Sequence, residues 1–247
     1  SCLKWLWTVG VVLRHGSPGL RFELWRQYFQ FSWPLILNVL VGNFVLLFDN
    51  WLVSWYYQDE AVFAIFRYGS RELPLATALA TALGMAMIPR LTAAPAEGLA
   101  ELKSKSLRLM HLLFPVTIVL LFVSRPLFPL LFNPDFAASA ALFNIYLLLT
   151  ASRVLLPNAI VLARGQPGVI FRVGLAELAV KIGLGFWLIA WFGLPGLAWS
   201  VVLAFWVEKL GLIWFLEKKC GVRTRDWLDI GWYGGYVLAL GVAWAIS

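Results

Sequence analysis

Six long apolar stretches separated by short connections constrain this chain more than any other feature. About 20 apolar residues are enough to cross the hydrocarbon core of a bilayer. Hydrophobic residues make up 61% of the 247, which leaves too little polar surface for a soluble domain. The sequence therefore predicts an all-α, polytopic membrane bundle of about six full transmembrane helices with partial helices at both ends. The full spans are predicted at 29–57, 61–91, 107–132, 137–163, 169–192 and 195–216, and the partial ones at 3–13 and 232–246.

Basic residues alternate from one connection to the next. Thirteen Lys and Arg residues lie in one set of connections, and only Arg125 lies in the other. Because cytoplasmic loops are enriched in Lys and Arg, we expect residues 97–105 and 218–225 on the cytoplasmic side, with Asp59 and Asp135 opposite. The net charge of +7 then reflects membrane topology and not nucleic-acid binding. The thirteen are Arg14, Arg21, Arg26, Arg90, Lys103, Lys105, Arg108, Arg164, Arg172, Lys218, Lys219, Arg223 and Arg225.

The chain begins and ends inside apolar runs, so we expect it to be part of a longer transporter. Residues 1–28 are predicted to hold the end of a transmembrane helix and a cytoplasmic amphipathic linker. Residues 29–216 would form a six-helix lobe, and 217–247 a cytoplasmic loop and the start of a further span. Segment 17–31 reads equally well as an interfacial helix or as a plain loop.

Two prolines lie deep within predicted spans. Proline removes a backbone hydrogen bond and kinks or breaks a helix, and in lipid the freed carbonyl needs another partner. Pro74 and Pro157 are therefore predicted hinge positions.

No motif for covalent chemistry is present in the sequence. There is no P-loop, no GxSxG elbow and no complete GxGxxG pattern. His15 and His111 have no partner at metal-ligand spacing. We therefore expect a protein that is not an enzyme and that uses no cofactor or metal.

Ionisable residues inside the spans are the candidate functional residues. A charged group at the bilayer centre costs about 2.5–3.5 kcal/mol on insertion scales, so it usually faces a partner or a wet cavity. Arg67 and Arg71 are four residues apart and are predicted to share one helix face. Two such guanidiniums either hold an anion, for which phosphate is a good match, or are neutralised by Asp49 and Glu72. Asp49 is interpreted as an ion-pair partner of Arg67 in preference to a titrating or cation-coupling carboxylate.

Two further spans contribute polar residues. Arg153 has no acid within four residues, so we expect it to face a cavity, where Asn144 and Asn158 could add hydrogen bonds. Glu177 and Lys181 are four residues apart and predict an intrahelical ion pair.

Three segments resemble a known family. AVFAIFRYGSRELPLATALATALGMAMIPRLT, after a span with an early Pro and a late Asp, is similar to the eighth helix of the multidrug/oligosaccharidyl-lipid/polysaccharide (MOP) exporter superfamily. LFPLLFNPDFAASAALFNIYLLLTASRVL and LARGQPGVIFRVGLAELAVKIGLGFWLIAWFGLPGLAWSVVLAFWVEKL resemble helices ten to twelve of its polysaccharide flippases. The resemblance covers residues 29–216 and implies the C-terminal one of two lobes around a cavity that opens alternately to each side.

The resemblance implies a flippase of the bacterial inner membrane that moves a lipid-linked oligosaccharide or polysaccharide precursor. Its expected partners are membrane lipids, an anionic undecaprenyl-pyrophosphate-linked sugar and the missing N-terminal lobe, with no nucleic acid. As in lipid II flippases of the superfamily, cavity arginines would hold the pyrophosphate. The implied substrate-binding residues are Arg67, Arg71, Arg153, Asn144 and Asn158, and the implied coupling or ion-pair residues are Asp49, Glu72, Glu177 and Lys181.

Two alternatives make different demands on the sequence. A drug or cation antiporter of the same fold (the MATE type) should have an acidic cavity, whereas the intramembrane residues here lean basic. A membrane-embedded glycosyltransferase or polymerase would need catalytic acids or a large outer loop, and the outer connections here are short.

Overall fold

The computed structural model describes residues 22–131 and 134–247, together with positions 5, 7, 8, 10 and 11. Of the described residues, 91% are helical, and none lies in a strand. In chain order the helices are α1 (Phe22–Tyr57), α2 (Glu60–Gly69), α3 (Pro74–Ala93), α4 (Pro95–Leu131), α5 (Ala137–Leu147), α6 (Leu149–Arg153), α7 (Pro157–Ala163), α8 (Pro167–Cys220), α9 (Thr224–Trp227) and α10 (Ile230–Ile246), with a 3-10 turn at Pro134–Phe136.

Five stretches of the described chain are long and apolar enough to cross a membrane. They are α1, α3, α4, the run α5–α7 and α8, and the shorter α10 is also apolar. These helices confirm the predicted fold class, an all-α membrane bundle.

Helix α8 is a hairpin. Gly193 has φ 63° and ψ −144°, a conformation that side chains disfavour, and it reverses the chain just before Pro195. The Lys181 Nζ on the first arm donates to the Ser200 Oγ on the second at 2.9 Å, which shows that the arms run side by side. The predicted tight turn at 193–196 is confirmed.

The predicted span 61–91 is two helices instead of one. Pro74 begins α3, and a proline disfavours helical geometry in the residue before it, so the chain leaves the helix after Gly69. At Gly69 a Cβ atom would meet the Ser139 carbonyl oxygen at 2.7 Å, so glycine lets α2 approach α5 closely. The span 137–163 is also divided, and Pro157 begins α7. Breaks at both predicted positions are confirmed, and hinge motion stays a prediction.

The cytoplasmic connection predicted at 92–106 is mostly helical, because α4 begins at Pro95. Arg90 binds Glu97 at 2.9 Å and Glu101 at 3.2 Å, and Lys105 binds Glu101 at 2.7 Å. The Lys105 hydrogen bond, assisted by Arg90, holds the pKa of Glu101 below its usual value. The Glu101–Lys105 pair, four residues apart, favours a helix in the predicted loop, and the Arg90 pairs hold the end of α3 against the start of α4.

The two ends of the bundle agree with the predicted sidedness. At the basic end, Lys103 Nζ donates to the Arg225 carbonyl at 2.9 Å. At the other end, Asp59 caps α2 by accepting from the Ala61 N–H at 2.8 Å, and a Cβ on Gly193 would meet the Tyr57 hydroxyl at 3.0 Å. The Asp135 side chain lies outside the described ones.

The described part of the N-terminal region, residues 22–31, differs from the prediction. Residues 22–31 continue α1 and do not form a separate interfacial helix. Residues 12–21 and most of the partial span 3–13 lie outside the described residues. The division at residues 28 and 216 stays a prediction.

Two apolar clusters form the core. One joins α3, α4, α7, α9, α10 and the cytoplasmic half of α8, around fully buried Leu113, Phe114 and Trp227. The other joins α1, α2, α5 and the outer half of α8 around Leu52 and Phe66. Charged side chains of α1, α6 and α8 lie among these buried elements, and they form the candidate site.

Candidate functional site

A buried ion pair joins α1 to both arms of α8. The Lys181 Nζ lies 2.5 Å from the Asp49 Oδ1, and the Lys181 side chain is fully buried. The same ammonium donates to the Ser200 Oγ, whose hydroxyl donates to the Leu197 carbonyl at 2.7 Å. These contacts hold three membrane segments together at one point.

The pairing differs from both predictions made for these residues. Asp49 binds Lys181 and not Arg67, because α1 packs along α8 and turns its carboxylate toward that helix. Lys181 in turn makes its ion pair across helices and not with Glu177, the predicted partner one turn away.

A second ion pair joins the break between α2 and α3 to the end of α6. The Arg153 Nε and Nη2 donate to the two Glu72 carboxylate oxygens at 2.8 and 2.7 Å. The Thr77 hydroxyl donates to the same carboxylate at 3.2 Å, and the Phe205 ring lies 4.1 Å from the guanidinium carbon, a cation–π contact. Arg153, expected to be unpaired, therefore has a bidentate partner from a distant segment.

A third group lies toward the cytoplasmic half of α8. Glu208 binds Lys209 at 2.9 Å and accepts from the Asn158 Nδ2 at 3.0 Å. The buried Asn158 Oδ1 accepts no hydrogen bond from the described residues. Glu177 is partly buried and interacts electrostatically with Glu208, Lys209, Arg153 and Glu72. Glu208 and Lys209 are not among the residues predicted for the site, and the structure includes them in this network.

Asn144 is separate from these groups. Its Oδ1 accepts from Ser124 at 2.5 Å, and its Nδ2 donates to the Leu121 carbonyl at 3.1 Å and to Ser247 at 3.2 Å. The amide is therefore satisfied by helix packing between α4, α5 and α10, which leaves it no free group for a ligand.

Tyr146 and Phe205 belong to the network and were missed in the sequence. Tyr146 is buried and lies within electrostatic reach of Asp49 and Glu72. Aromatic residues are common in apolar spans, so neither carried a signal of its own. The Phe205 ring differs from the other described aromatic rings of the spans only in its contact with the Arg153 guanidinium.

Arg67 and Arg71 stand apart from all three pairs. Arg67 lies in the last turn of α2, and Arg71 lies beyond it in the non-helical connection 70–73. The shared helix face predicted for them is therefore wrong, because α2 ends at Gly69. Both side chains are exposed, and neither makes an ion pair with any residue in the described ranges.

The site thus combines paired charges with two open guanidiniums. A guanidinium presents a fixed fork of donors that matches phosphate oxygens, so Arg67 and Arg71 could bind an anionic group. No set of three His, Cys, Asp or Glu side chains in the described part of the chain could hold a metal ion.

Comparison with known families identifies the chain. A sequence model of the family described as "Lipid II flippase MurJ" matches residues 2–245. The chain belongs to the MurJ family. The predicted resemblance to the MOP superfamily is thereby confirmed, and the drug or cation antiporter is not favoured. No curated protein sequence matches the chain.

A solved structure shares the fold of this MurJ-family chain. It is a MOP superfamily transporter from Pyrococcus furiosus, which superposes with a TM-score of 0.65 at 18% sequence identity. The match covers 89% of this chain and 52% of the transporter, so the chain spans about half the length of the protein it resembles.

Proposed function

We propose that the chain forms one lobe of a flippase for an anionic undecaprenyl-pyrophosphate-linked sugar. The lobe would work in the bacterial inner membrane with a second, N-terminal lobe, moving the substrate to the outer leaflet without covalent chemistry. The observation that carries the proposal is the exposure of Arg67 and Arg71 at the helix break within the predicted span 61–91, without a carboxylate partner among the described residues. Membership of a lipid II flippase family supports it.

The chemistry of the two arginines fits a pyrophosphate. A guanidinium in a membrane span is expensive unless it faces an anion or a wet cavity, and Arg153, Lys181 and Lys209 already have acidic partners. Two bidentate donors, one in the last turn of α2 and one on the non-helical connection after it, can bind two phosphate groups. The substrate would therefore supply the missing counter-charge.

Glu72 gives the site a second state. Its carboxylate lies next to Arg71 in the chain but binds Arg153 and Thr77. We propose that movement at connection 70–73 separates Glu72 from Arg153, so that Arg153 joins Arg67 and Arg71 around the pyrophosphate. A substrate that binds this arrangement better than the paired one shifts the equilibrium between the two states.

The remaining predicted residues divide by their contacts. The Asn158 Oδ1 accepts no hydrogen bond from the described residues, so Asn158 stays a proposed polar contact for the sugar, whereas Asn144 is committed to helix packing. Asp49, Glu177 and Lys181 stay proposed coupling residues, because a change in protonation or partner would alter how α1 sits on α8.

The test uses full-length protein reconstituted in vesicles with an undecaprenyl-pyrophosphate-linked sugar. Arg67→Ala and Arg71→Ala should each lower translocation at least tenfold while membrane abundance stays normal. Lysine at either position should rescue only partly, because an ammonium lacks the bidentate geometry. Arg125→Ala is the matched control, since Arg125 is also exposed and is predicted on the outer side; it should translocate normally.

A double variant separates anion binding from a hidden structural role. If Arg71 serves as a partner of Glu72, then Glu72→Gln should restore translocation to Arg71→Gln. That rescue, or full activity of the lysine variants, would contradict the pyrophosphate assignment.

A further inference from the structure

A groove lies between the two arms of α8, at the end opposite the Gly193 turn. Its volume is about 560 Å³. One wall comes from the first turns of the first arm and the other from the last turns of the second arm. The lining residues are Gln166, Val169, Arg172, Val173, Gly211, Trp214, Phe215 and Lys219.

The floor of the groove is apolar. Val169, Val173 and Phe215 line it, and Gly211 allows the arms to meet there, because a Cβ at that position would lie 3.1 Å from the Val173 Cγ1. An apolar trough along a membrane helix hairpin matches a hydrocarbon chain and offers no polar group that would oppose its burial.

The rim of the groove is cationic. Arg172 and Lys219 lie on opposite arms, both exposed, and no carboxylate is among the lining residues. The Arg172 Nε donates to the Gly168 carbonyl at 3.2 Å, which fixes the base of the guanidinium. Neither cation makes an ion pair within the described ranges. Two cations without counter-ions at one rim select a negatively charged group between them.

The groove lies at the level of the cytoplasmic headgroups. Its rim belongs to the basic end of the bundle, the end that faces the cytoplasm by the positive-inside rule. Trp214 is 59% exposed at that level, where indole rings favour the interface. Basic pockets between membrane helices on the cytoplasmic side are suited to anionic lipid headgroups.

We infer that this groove binds an anionic phospholipid of the cytoplasmic leaflet. The lipid phosphate lies between Arg172 and Lys219, and one acyl chain lies on Val169, Val173 and Phe215. The site is independent of the proposed transport of a pyrophosphate-linked sugar, because it shares no residue with the helix break at 70–73.

The experiment measures lipid retention on the full-length protein by native mass spectrometry. Phosphatidylglycerol should bind in preference to phosphatidylcholine. Arg172→Gln and Lys219→Gln should each weaken phosphatidylglycerol binding about fivefold, equivalent to about 1 kcal/mol. Lys218→Gln is the matched control, since Lys218 is the adjacent exposed lysine and does not line the groove. It should bind as the parent does.

A charge-preserving double variant keeps the test valid even if the neutral variants misfold. Arg172→Lys with Lys219→Arg should retain the preference for phosphatidylglycerol. Equal losses in Lys218→Gln and Lys219→Gln would reduce the effect to general surface charge and overturn the inference. Equal binding of the two phospholipids would overturn it as well. A third result would also overturn the inference: undecaprenyl pyrophosphate displacing phosphatidylglycerol at a lower concentration than cardiolipin does. The groove would then bind the transported lipid.

Discussion

The paired charges of α1, α6, α8 and Glu72 and the two open arginines, Arg67 and Arg71, solve the same problem in opposite ways. Asp49–Lys181, Glu72–Arg153 and Glu208–Lys209 each satisfy charge inside the protein. Arg67 and Arg71 are also charged and lie close to Glu72 in the chain, yet they make no ion pair within the described residues. Paired charges stabilise one arrangement, and open charges are available to a ligand. The difference predicts that substitutions in the two regions will fail in different ways.

The largest expected effect is on the most deeply buried pair. Lys181→Met leaves the Asp49 carboxylate buried without a counter-charge, which should lower the free energy of unfolding by about 3–5 kcal/mol. Thermal melting of the full-length protein in detergent measures it. The double variant Asp49→Leu with Lys181→Met should recover most of the loss, since an apolar pair needs no counter-charge. If Lys181→Met melts at the same temperature as the parent, the Asp49–Lys181 pair does not stabilise the fold and the prediction is wrong.

The Glu72–Arg153 pair should be the next most sensitive. Arg153→Gln should lower stability by about 3 kcal/mol, at the lower end of the range for buried pairs, because these side chains are still 24% and 22% exposed. Adding Glu72→Gln should restore abundance and melting but not translocation, since the proposed second state needs the arginine. Restored translocation in the double variant would reduce the pair to a structural clasp.

Asn144 should show a smaller and purely structural effect. Asn144→Ala removes hydrogen bonds among α4, α5 and α10 and should cost about 1 kcal/mol. Translocation per folded molecule, measured at a temperature below the melting transition, should stay unchanged. Loss of translocation with an unchanged melting temperature would instead return Asn144 to the substrate-binding residues.

The smallest effect on stability is expected at the open arginines. Arg67→Ala and Arg71→Ala should each change the free energy of unfolding by no more than about 0.5 kcal/mol, as is usual for exposed positions without partners. The melting assay used for Lys181→Met applies unchanged. A loss comparable to that of Arg153→Gln would mean that the arginine is structural, and the contrast between the two regions would disappear.

The sequence predicted the membrane bundle well because bilayer thickness fixes helix length and loop charge fixes sidedness. Both signals are local and are repeated at every span. The breaks at Pro74 and Pro157 were predictable for the same reason, because proline acts on its immediate neighbours. The continuation of α1 back to Phe22 was not, since an amphipathic pattern does not reveal whether a helix bends into the interface or runs on.

The ion pairs could not be predicted, because their partners are far apart in the chain. Spacing suggested Glu177 for Lys181, whereas the partner Asp49 comes from another span. Arg153 seemed to lack an acid because Glu72 lies on a segment that only the folded bundle brings near. The sequence singled out Asp49, Glu72, Arg153 and Lys181 as charged residues of interest, and finding their partners required the tertiary structure.

The contact between Asp49 and Lys181 has a consequence for biogenesis. Ribosomal synthesis delivers α1 to the membrane long before the α8 hairpin exists, so the carboxylate reaches the insertion machinery without its ammonium. Until α8 emerges, Asp49 must stay protonated, remain near water or be sheltered by the insertase. Docking of the hairpin is therefore the step that commits α1 to its final position, and nascent chains stalled before Lys181 should be recognised by membrane quality-control proteases as unfinished.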